Sequence, residues 1–149
     1  MIKAMNDKIN NKIVGTWILV SAVLETDNNC LPLFGKNPEG SLIFTKEMRF
    51  NVILNDPDVP KFSTEDRSQG TYEELKAATT GALALYGTYK VDEQGDFASQ
   101  HIIGSTFPNW NGLERSASQL RLERNEDLLT ENLILGLNTR VIITWQLIE

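Results

Sequence analysis

Short runs of β-branched, aliphatic and aromatic residues recur along the chain, and turn residues separate them at regular intervals. This pattern is typical of antiparallel barrels and sandwiches. It predicts eight strands, over residues 12–26, 41–45, 48–55, 85–92, 96–106, 113–124, 128–135 and 139–148. Eight antiparallel strands can close into a barrel whose interior is filled by side chains or holds one small ligand. We therefore expect an all-β fold.

One helix interrupts the predicted strands, over residues 71–83. Thr71 is a favourable N-cap, and Glu74 three residues later completes a capping box. Small and apolar residues follow at helical spacing, while Gly81 weakens the last turn. At 149 residues the chain has the length of one domain, so we assign residues 1–149 to a single barrel, with 1–12 as an N-terminal extension.

Charge narrows the classes of partner. Fourteen Lys and Arg residues face twenty Asp and Glu residues, so the net charge is −6. An acidic chain without a basic stripe is a poor match for nucleic acid and for anionic membrane surfaces. No apolar run approaches the roughly 20 residues of a membrane-spanning helix. We therefore expect neither nucleic acid nor a membrane as partner, and the sequence does not indicate an oligomeric state.

Cysteine content and missing motifs bear on compartment and cofactors. Cys30 is the only cysteine, so neither an intramolecular disulfide nor a cluster of thiolate ligands for zinc is possible. The N-terminal segment lacks the apolar stretch of a secretory signal, and we expect a cytoplasmic protein. The sequence contains no Gly-x-Ser-x-Gly motif, glycine-rich phosphate loop or dinucleotide fingerprint. We therefore expect no cofactor and no metal site.

The order of several short motifs resembles a known family. Gly15-Thr16-Trp17 in the first predicted strand is similar to the entry signature of lipocalins and related calycin barrels. Further similar stretches follow in order and spacing: VGTWILVSA, FGKNPEGSLIFT, PDVPKF, LYGTYKVD and GSTFPNW. Together they resemble the small bacterial and fungal lipocalin-like domain family over roughly residues 13–147.

This resemblance implies an eight-stranded antiparallel up-and-down barrel with an apolar interior and a helix near one end. It also implies that a late arginine, here Arg140, packs across Trp17 and closes the base. Barrels of this kind hold small apolar molecules, and some small relatives in specialised metabolism look like cofactor-free isomerases or cyclases. A fold does not determine an activity, so the side chains of the site must decide.

His101, the only histidine, is one candidate catalytic residue. It alternates in phase with Phe97, Ser99, Ile103 and Ser105, and the family pattern similarly has a histidine just before GSTFPNW. If this face points inward, an imidazole that titrates near neutrality suits proton transfer. The alternative is a hydrogen-bonded structural histidine at the rim of the barrel.

Arg121 and Gln119 are a second candidate pair, and they match a Gln-x-Arg of the family pattern. An inward arginine, in phase here with Arg115, can bind a carboxylate or an enolate through two hydrogen bonds. In the alternative phase Arg115, Arg121 and Glu123 form a solvated face, and Leu120 and Leu122 point inward. A period of two permits only one of these two arrangements.

Tyr89 is the third catalytic candidate, because it shares a strand face with Leu85 and Val91 and its phenol can donate to a ligand oxygen. A half-buried packing aromatic is the alternative. On the third predicted strand, Phe50 and Val52 share a face with Met48 and Leu54. The predicted ligand-binding residues, besides the catalytic candidates, are Phe50, Val52, Ile103 and Gln119.

Three functional hypotheses remain open. The first is binding of a small apolar or amphiphilic organic molecule inside the barrel. The second is a cofactor-free isomerase or cyclase in which His101, Tyr89 or Arg121 moves or stabilises charge. The third is a protein-interaction module whose interior is filled by its own side chains, such as Phe50 and Trp145.

Overall fold

Ten antiparallel strands and one α-helix form within residues 10–149, the part of the chain that the computed structural model describes. The strands are β1 (Gly15–Glu25), β2 (Cys30–Pro32), β3 (Glu39–Phe44), β4 (Arg49–Asn55), β5 (Ala82–Val91), β6 (Phe97–Ser105), β7 (Glu114–Ser116), β8 (Leu120–Asn125), β9 (Leu128–Gly136) and β10 (Thr139–Leu147). The helix α1 spans Tyr72–Thr80, and short 3-10 turns span Arg67–Gln69 and Pro108–Trp110. Of the predicted N-terminal extension, residues 1–9 lie outside the described residues.

The strands form one sheet in the order β7-β6-β5-β4-β3-β1-β10-β9-β8, and β2 pairs with β1 outside this path. The edge strands β7 and β8 are joined by a tight turn, which brings the two ends of the sheet together. At this seam the backbone N–H of Ala117 donates to the carbonyl of Ala98 at 3.0 Å, and that of Ile134 donates to the carbonyl of Gln119 at 2.9 Å. The predicted antiparallel up-and-down barrel is confirmed, and it is nearly closed.

The number of strands is ten where eight are predicted, for two local reasons. The three residues of β2 add a short strand in a region predicted as loop. The region predicted as one strand over 113–124 is divided into β7 and β8, because residues 117–119 turn. Neither change alters the order of the other strands around the barrel.

Helix α1 begins where the capping box predicts it. The Thr71 hydroxyl accepts from the backbone N–H of Glu74 at 3.2 Å, and the Glu74 carboxylate accepts from the backbone N–H of Thr71 at 2.9 Å. The helix ends at Thr80, three residues before the predicted end, because Gly81 is its C-cap and Ala82 already belongs to β5. Among residues 10–149, no helix combines the length and apolar character needed to cross a bilayer.

One end of the barrel, which we call the base, is closed by large buried side chains. Trp17 is fully buried, and its indole N–H donates to the carbonyl of Ile13 at 3.0 Å. The guanidinium carbon of Arg124 lies 5.3 Å from the centre of the Trp17 ring. The base is completed by Phe44, Tyr89, Phe97, Leu129 and Trp145, all of which belong to the buried core.

The predicted contact between Arg140 and Trp17 is wrong, and the antiparallel register explains why. Trp17 pairs with Leu147 at the end of β10, whereas Arg140 at its start pairs with Glu25. Arg140 therefore lies at the opposite end of the barrel, where its Nη2 is 2.8 Å from the Glu25 carboxylate. Arg124, which lies near the end of β8, takes the position over the indole ring instead.

We predict that Trp17→Ala lowers the free energy of unfolding by about 3–5 kcal/mol, because it removes a fully buried indole from the base. The neighbouring Ile18 is 48% exposed on the outer face, so Ile18→Ala should cost less than about 1 kcal/mol. Urea denaturation of both variants measures the difference. An unchanged midpoint for a folded Trp17→Ala variant would show that the indole does not stabilise the base.

Candidate functional site

A cavity of about 220 Å³ lies inside the barrel, beyond the aromatic base. Leu33, Phe34 and Trp110 border it from the loops that follow β2 and β6. Its apolar wall further comprises Leu42, Phe44, Phe50, Val52, Leu54, Leu83, Leu85, Leu120, Leu122, Leu133, Val141 and Ile143. Three polar side chains, those of Gln100, Arg115 and Glu131, complete the wall.

Strict alternation along β4 places two of the predicted ligand-binding residues on this wall. Phe50 and Leu54 are buried and Val52 is half-buried, and all three border the cavity. The intervening residues, Asn51 and Ile53, are exposed on the outer face. The inward phase predicted for Phe50 and Val52 is confirmed.

On β6 the predicted phase is wrong over residues 99–103, because two bulges on this strand break the alternation of faces. Val91 of β5 pairs with Phe97, but the next pair joins Lys90 to Ser99, so Ala98 is an extra residue on β6. Such an insertion locally breaks the alternation of faces. As a consequence Gln100 is buried, and it borders the cavity.

The bulge at Ala98 directs His101 away from the cavity, and a second bulge lies at Ile103, between the pairs Gly87–Ile102 and Tyr86–Gly104. Ile103 is exposed on the outer face, and His101 is half-exposed at the pairing of β6 with β7. The Nδ1 atom of His101 lies 3.5 Å from the Glu114 carboxylate, yet it makes no hydrogen bond to the described residues. The structure thus places this histidine in a surface notch, apart from the cavity wall.

The turn after β7 separates two arginines that a continuous strand would align. Arg115 on β7 is buried and borders the cavity, whereas Arg121 on β8 is 71% exposed and pairs with the Glu123 carboxylate. Gln119 lies in the turn itself, where its side-chain oxygen accepts from the backbone N–H of Ser116 at 2.9 Å. The inward phase predicted for Gln119 and Arg121 is therefore wrong.

Tyr89 is inward-facing, as predicted, but it belongs to the base. Its hydroxyl donates to the carbonyl of Thr45 and accepts from the amide of Asn11 at 2.9 Å. Burial raises the pKa of Tyr89, an effect that the Asn11 hydrogen bond opposes. Both bonds tie loops across the closed end, and Tyr89 does not border the cavity.

Arg115 and Gln100, which the sequence did not single out for the site, form a buried hydrogen-bonded pair. The Nη1 of Arg115 donates to the Gln100 side-chain oxygen at 3.1 Å. The guanidinium carbon also lies 4.4 Å from the centre of the Trp110 ring, a cation–π contact. Burial lowers the pKa of Arg115, and the negative charge of Glu131 opposes that change.

Glu131 on β9 is a second polar group that the sequence analysis missed. The indole N–H of Trp145 donates to its carboxylate at 2.6 Å. Burial raises the pKa of Glu131 to about 7, although the Trp145 hydrogen bond and the charge of Arg115 act in the opposite direction. Its position between Leu129 and Leu133, on an otherwise apolar strand face, was the signal available in the sequence.

The polar groups of the cavity can bind an anion or move a proton, but they do not form a metal-binding cluster. Within residues 10–149, no group of three His, Cys, Asp or Glu side chains is arranged to hold an ion. Arg115 and Glu131 do not approach to within 4.0 Å of each other, so each keeps hydrogen-bonding capacity toward the cavity.

A family model described as a lipocalin-like domain matches residues 14–147. The chain belongs to the lipocalin-like domain family. This membership confirms the resemblance inferred from Gly15-Thr16-Trp17 and the motifs that follow it. A search among curated proteins found no match to this lipocalin-like chain. The lipocalin-like barrel suggests that the protein binds a small ligand.

We predict that the free energy of unfolding falls as the pH rises from about 4.5 to about 7. In the unfolded chain Glu131 ionises near its ordinary pKa of 4.5, but in the folded protein it keeps its proton until about pH 7. The folded state therefore binds more protons in this window, and raising the pH costs stability, by roughly 3 kcal/mol. Urea denaturation across this pH range measures the slope.

Two variants test whether Glu131 causes this dependence of the free energy of unfolding on pH. Glu131→Gln should flatten it, whereas Glu39→Gln at an exposed position of β3 should leave it unchanged. Hydrogen bonds lower the pKa of Asp66 and of Glu74, so their effects fall below about pH 4.5 and outside the window. The same slope in Glu131→Gln as in the wild type would show that another group is responsible.

Proposed function

We propose that this protein binds one small, mainly apolar organic molecule inside its barrel. The cavity of about 220 Å³ carries this proposal, because most of its wall is aliphatic or aromatic. An engineered apolar cavity of about 150 Å³ in another protein takes up benzene, whereas sites for drug-sized ligands measure about 300–1,000 Å³. The volume here favours a compound built on a single ring or a short branched chain.

The cavity supports this proposal over a barrel filled by its own side chains. Phe50 borders the cavity without filling it, and Trp145 lies in the base. Burial of a ligand's apolar surface against these walls contributes about 25 cal/mol per Å² toward binding. A ligand of single-ring size can therefore be held by the walls alone, and polar contacts would add selectivity.

The second candidate function is a cofactor-free isomerase or cyclase, and the polar groups of the cavity favour it. Glu131 changes its protonation near neutral pH, which is the property that general acid–base catalysis requires. Arg115 carries a positive charge on the same wall, where it could stabilise an oxygen that becomes negative during a reaction. In this reading the apolar wall holds the substrate in its reactive conformation.

A cytoplasmic location is part of the proposal. The single cysteine, Cys30, is an exposed free thiol, which fits a reducing compartment. Partition of the tagged protein between cytosolic and secreted fractions tests this location.

We predict that Val52→Phe weakens binding of benzene at least about tenfold, because the added ring occupies part of the cavity. Ile53→Phe is the matched control, since the neighbouring residue receives the same ring on the outer face. NMR titration with benzene measures both affinities, and circular dichroism verifies folding. Wild-type protein that takes up no benzene would refute the proposal, and equal losses in the two variants would place the site elsewhere.

The catalytic and binding roles predicted for the residues outside the cavity can be tested in the same assay. We expect His101→Ala and Arg121→Ala to keep benzene affinity within about twofold, because neither side chain borders the cavity. A larger loss in either variant would support the role that the sequence predicted for it. If a turnover is found, a loss of rate with unchanged affinity would support catalysis by that residue.

A further inference from the structure

We propose that Arg115 and Gln100 form an anion-binding subsite in the cavity wall that selects small ring compounds carrying one carboxylate, and that Glu131 takes up a proton when such an acid binds. The inference rests on the proposed function, because it assigns a ligand class to the same cavity. It adds a chemical group that the apolar wall does not specify. The ring would lie against the aliphatic wall, and the carboxylate would face the guanidinium.

The first argument is that Arg115 has unused donors beside the cavity. A guanidinium carries five N–H groups, and among the described residues only its Nη1 is hydrogen-bonded, to Gln100. The Trp110 ring covers one face of the guanidinium, which leaves its edge for a hydrogen-bonding partner. No carboxylate of the described residues lies within 4.0 Å of Arg115, so its buried charge has no ion pair.

A buried charge without a counter-ion raises the free energy of the folded protein. A ligand that supplies the counter-ion lowers this free energy and therefore binds more tightly. The planar fork of a guanidinium matches the two oxygens of a carboxylate. Arg115 presents its guanidinium on the wall of a cavity that has room for a single ring. A carboxylate therefore fits the subsite better than a neutral polar group does.

Gln100 adds a second donor to the subsite. Because arginine can only donate, the Gln100 atom that faces Nη1 must be the carbonyl oxygen. The side-chain NH₂ group is then the free end of the amide, and it has no acceptor among the described residues. Since Gln100 is buried and borders the cavity, this group can donate to a ligand oxygen.

Glu131 makes ligand binding at the subsite depend on pH. Among the described residues, Arg115 is the one other titratable side chain on the cavity wall. The strands on either side present apolar partners to Glu131, Leu122 from β8 and Ile143 from β10. Glu123, the carboxylate nearest along β8, lies on the outer face in its pair with Arg121.

Binding of an anion would change the protonation of Glu131. An incoming carboxylate brings a negative charge into the cavity and pairs with Arg115, whose positive charge holds the pKa of Glu131 down. Both changes favour the protonated form of Glu131. The complex therefore forms from the anionic ligand, the protein and a proton from solvent that is taken up on the Glu131 carboxylate.

The experiment compares benzoate with benzamide, which have the same shape and differ in charge. Isothermal titration calorimetry at about pH 6 should give at least about tenfold tighter binding of benzoate to the wild type. Arg115→Met should remove this preference, and circular dichroism verifies that the variant is folded. Arg121→Met is the matched control on the outer face and should behave as the wild type.

Arg115→Lys and Gln100→Leu refine the test. The lysine keeps the charge without the fork, so the preference for benzoate should persist in part. Loss of the amide donor in Gln100→Leu should weaken benzoate binding about threefold or more. If Arg115→Met does not fold, the Arg115→Lys variant carries the comparison.

Proton uptake is measured at about pH 7 in buffers of different ionisation enthalpy. Benzoate binding to the wild type should take up about half a proton, since Glu131 is about half ionised there. Its affinity should fall at least about fivefold between pH 6 and pH 8. Glu131→Gln should abolish the uptake and remove that part of the pH dependence, whereas Glu39→Gln should not.

The outcomes separate this inference from the proposed function. Benzene binding without a preference for benzoate over benzamide would overturn the subsite and leave the apolar site standing. A preference that disappears equally in Arg115→Met and Arg121→Met would place the anion outside the cavity and overturn the subsite. Absence of proton uptake in the wild type would overturn the role of Glu131. Failure of every compound to bind would overturn both proposals.

Discussion

Closure of the barrel gives each strand one face toward a narrow interior, and the polar groups of the cavity are those that fall on that face. Few such groups reach the wall, because the interior is largely taken up by aliphatic and aromatic side chains. Each polar group that does reach it has a buried partner. Arg115 is hydrogen-bonded to Gln100, and Glu131 is hydrogen-bonded to Trp145.

The side chains at the base of the barrel stabilise the fold, whereas those on the cavity wall are available to a ligand. At the base, indole, phenol and guanidinium groups are bonded to the backbone of neighbouring loops, so they are committed to holding the fold together. On the cavity wall, the guanidinium of Arg115 has one hydrogen-bonded partner among the described residues and four further N–H groups. This difference distinguishes Tyr89, a structural hydroxyl, from Arg115, a group with capacity for a ligand.

The fold was predictable where inward and outward side chains alternate without interruption, as on β4, and where a local motif is sufficient, as at the Thr71–Glu74 capping box. The inward face of β6 was not predictable, because the extra residue at Ala98 is a property of backbone pairing with β5. Nothing in the side-chain pattern marks it. Likewise, residues 113–124 look like one strand, and the turn that divides them becomes evident only when both of its flanking strands have found their partners.

The same reasons decide how much of the site could be predicted. Phe50 and Val52 lie on the wall as expected, whereas Gln100 reaches it through the bulge on β6, and the turn after β7 leaves Arg115 there without Arg121. The position of Glu131 on the wall could have been predicted, because a carboxylate between two leucines on one strand face is unusual. An acidic residue in an apolar alternation is therefore as informative as a motif.

The bulge on β6 also shows that this strand can change its length without changing the cavity. Deletion of Ala98 would restore regular pairing, because Phe97 already pairs with Val91 and Ser99 already pairs with Lys90. Gln100 would still pair with Tyr89, so its amide would keep its place on the wall and its hydrogen bond to Arg115. Loss of this single codon would leave the functional groups of the lining unchanged, so the length of β6 can vary by one residue at Ala98 while the chemistry of the cavity is preserved.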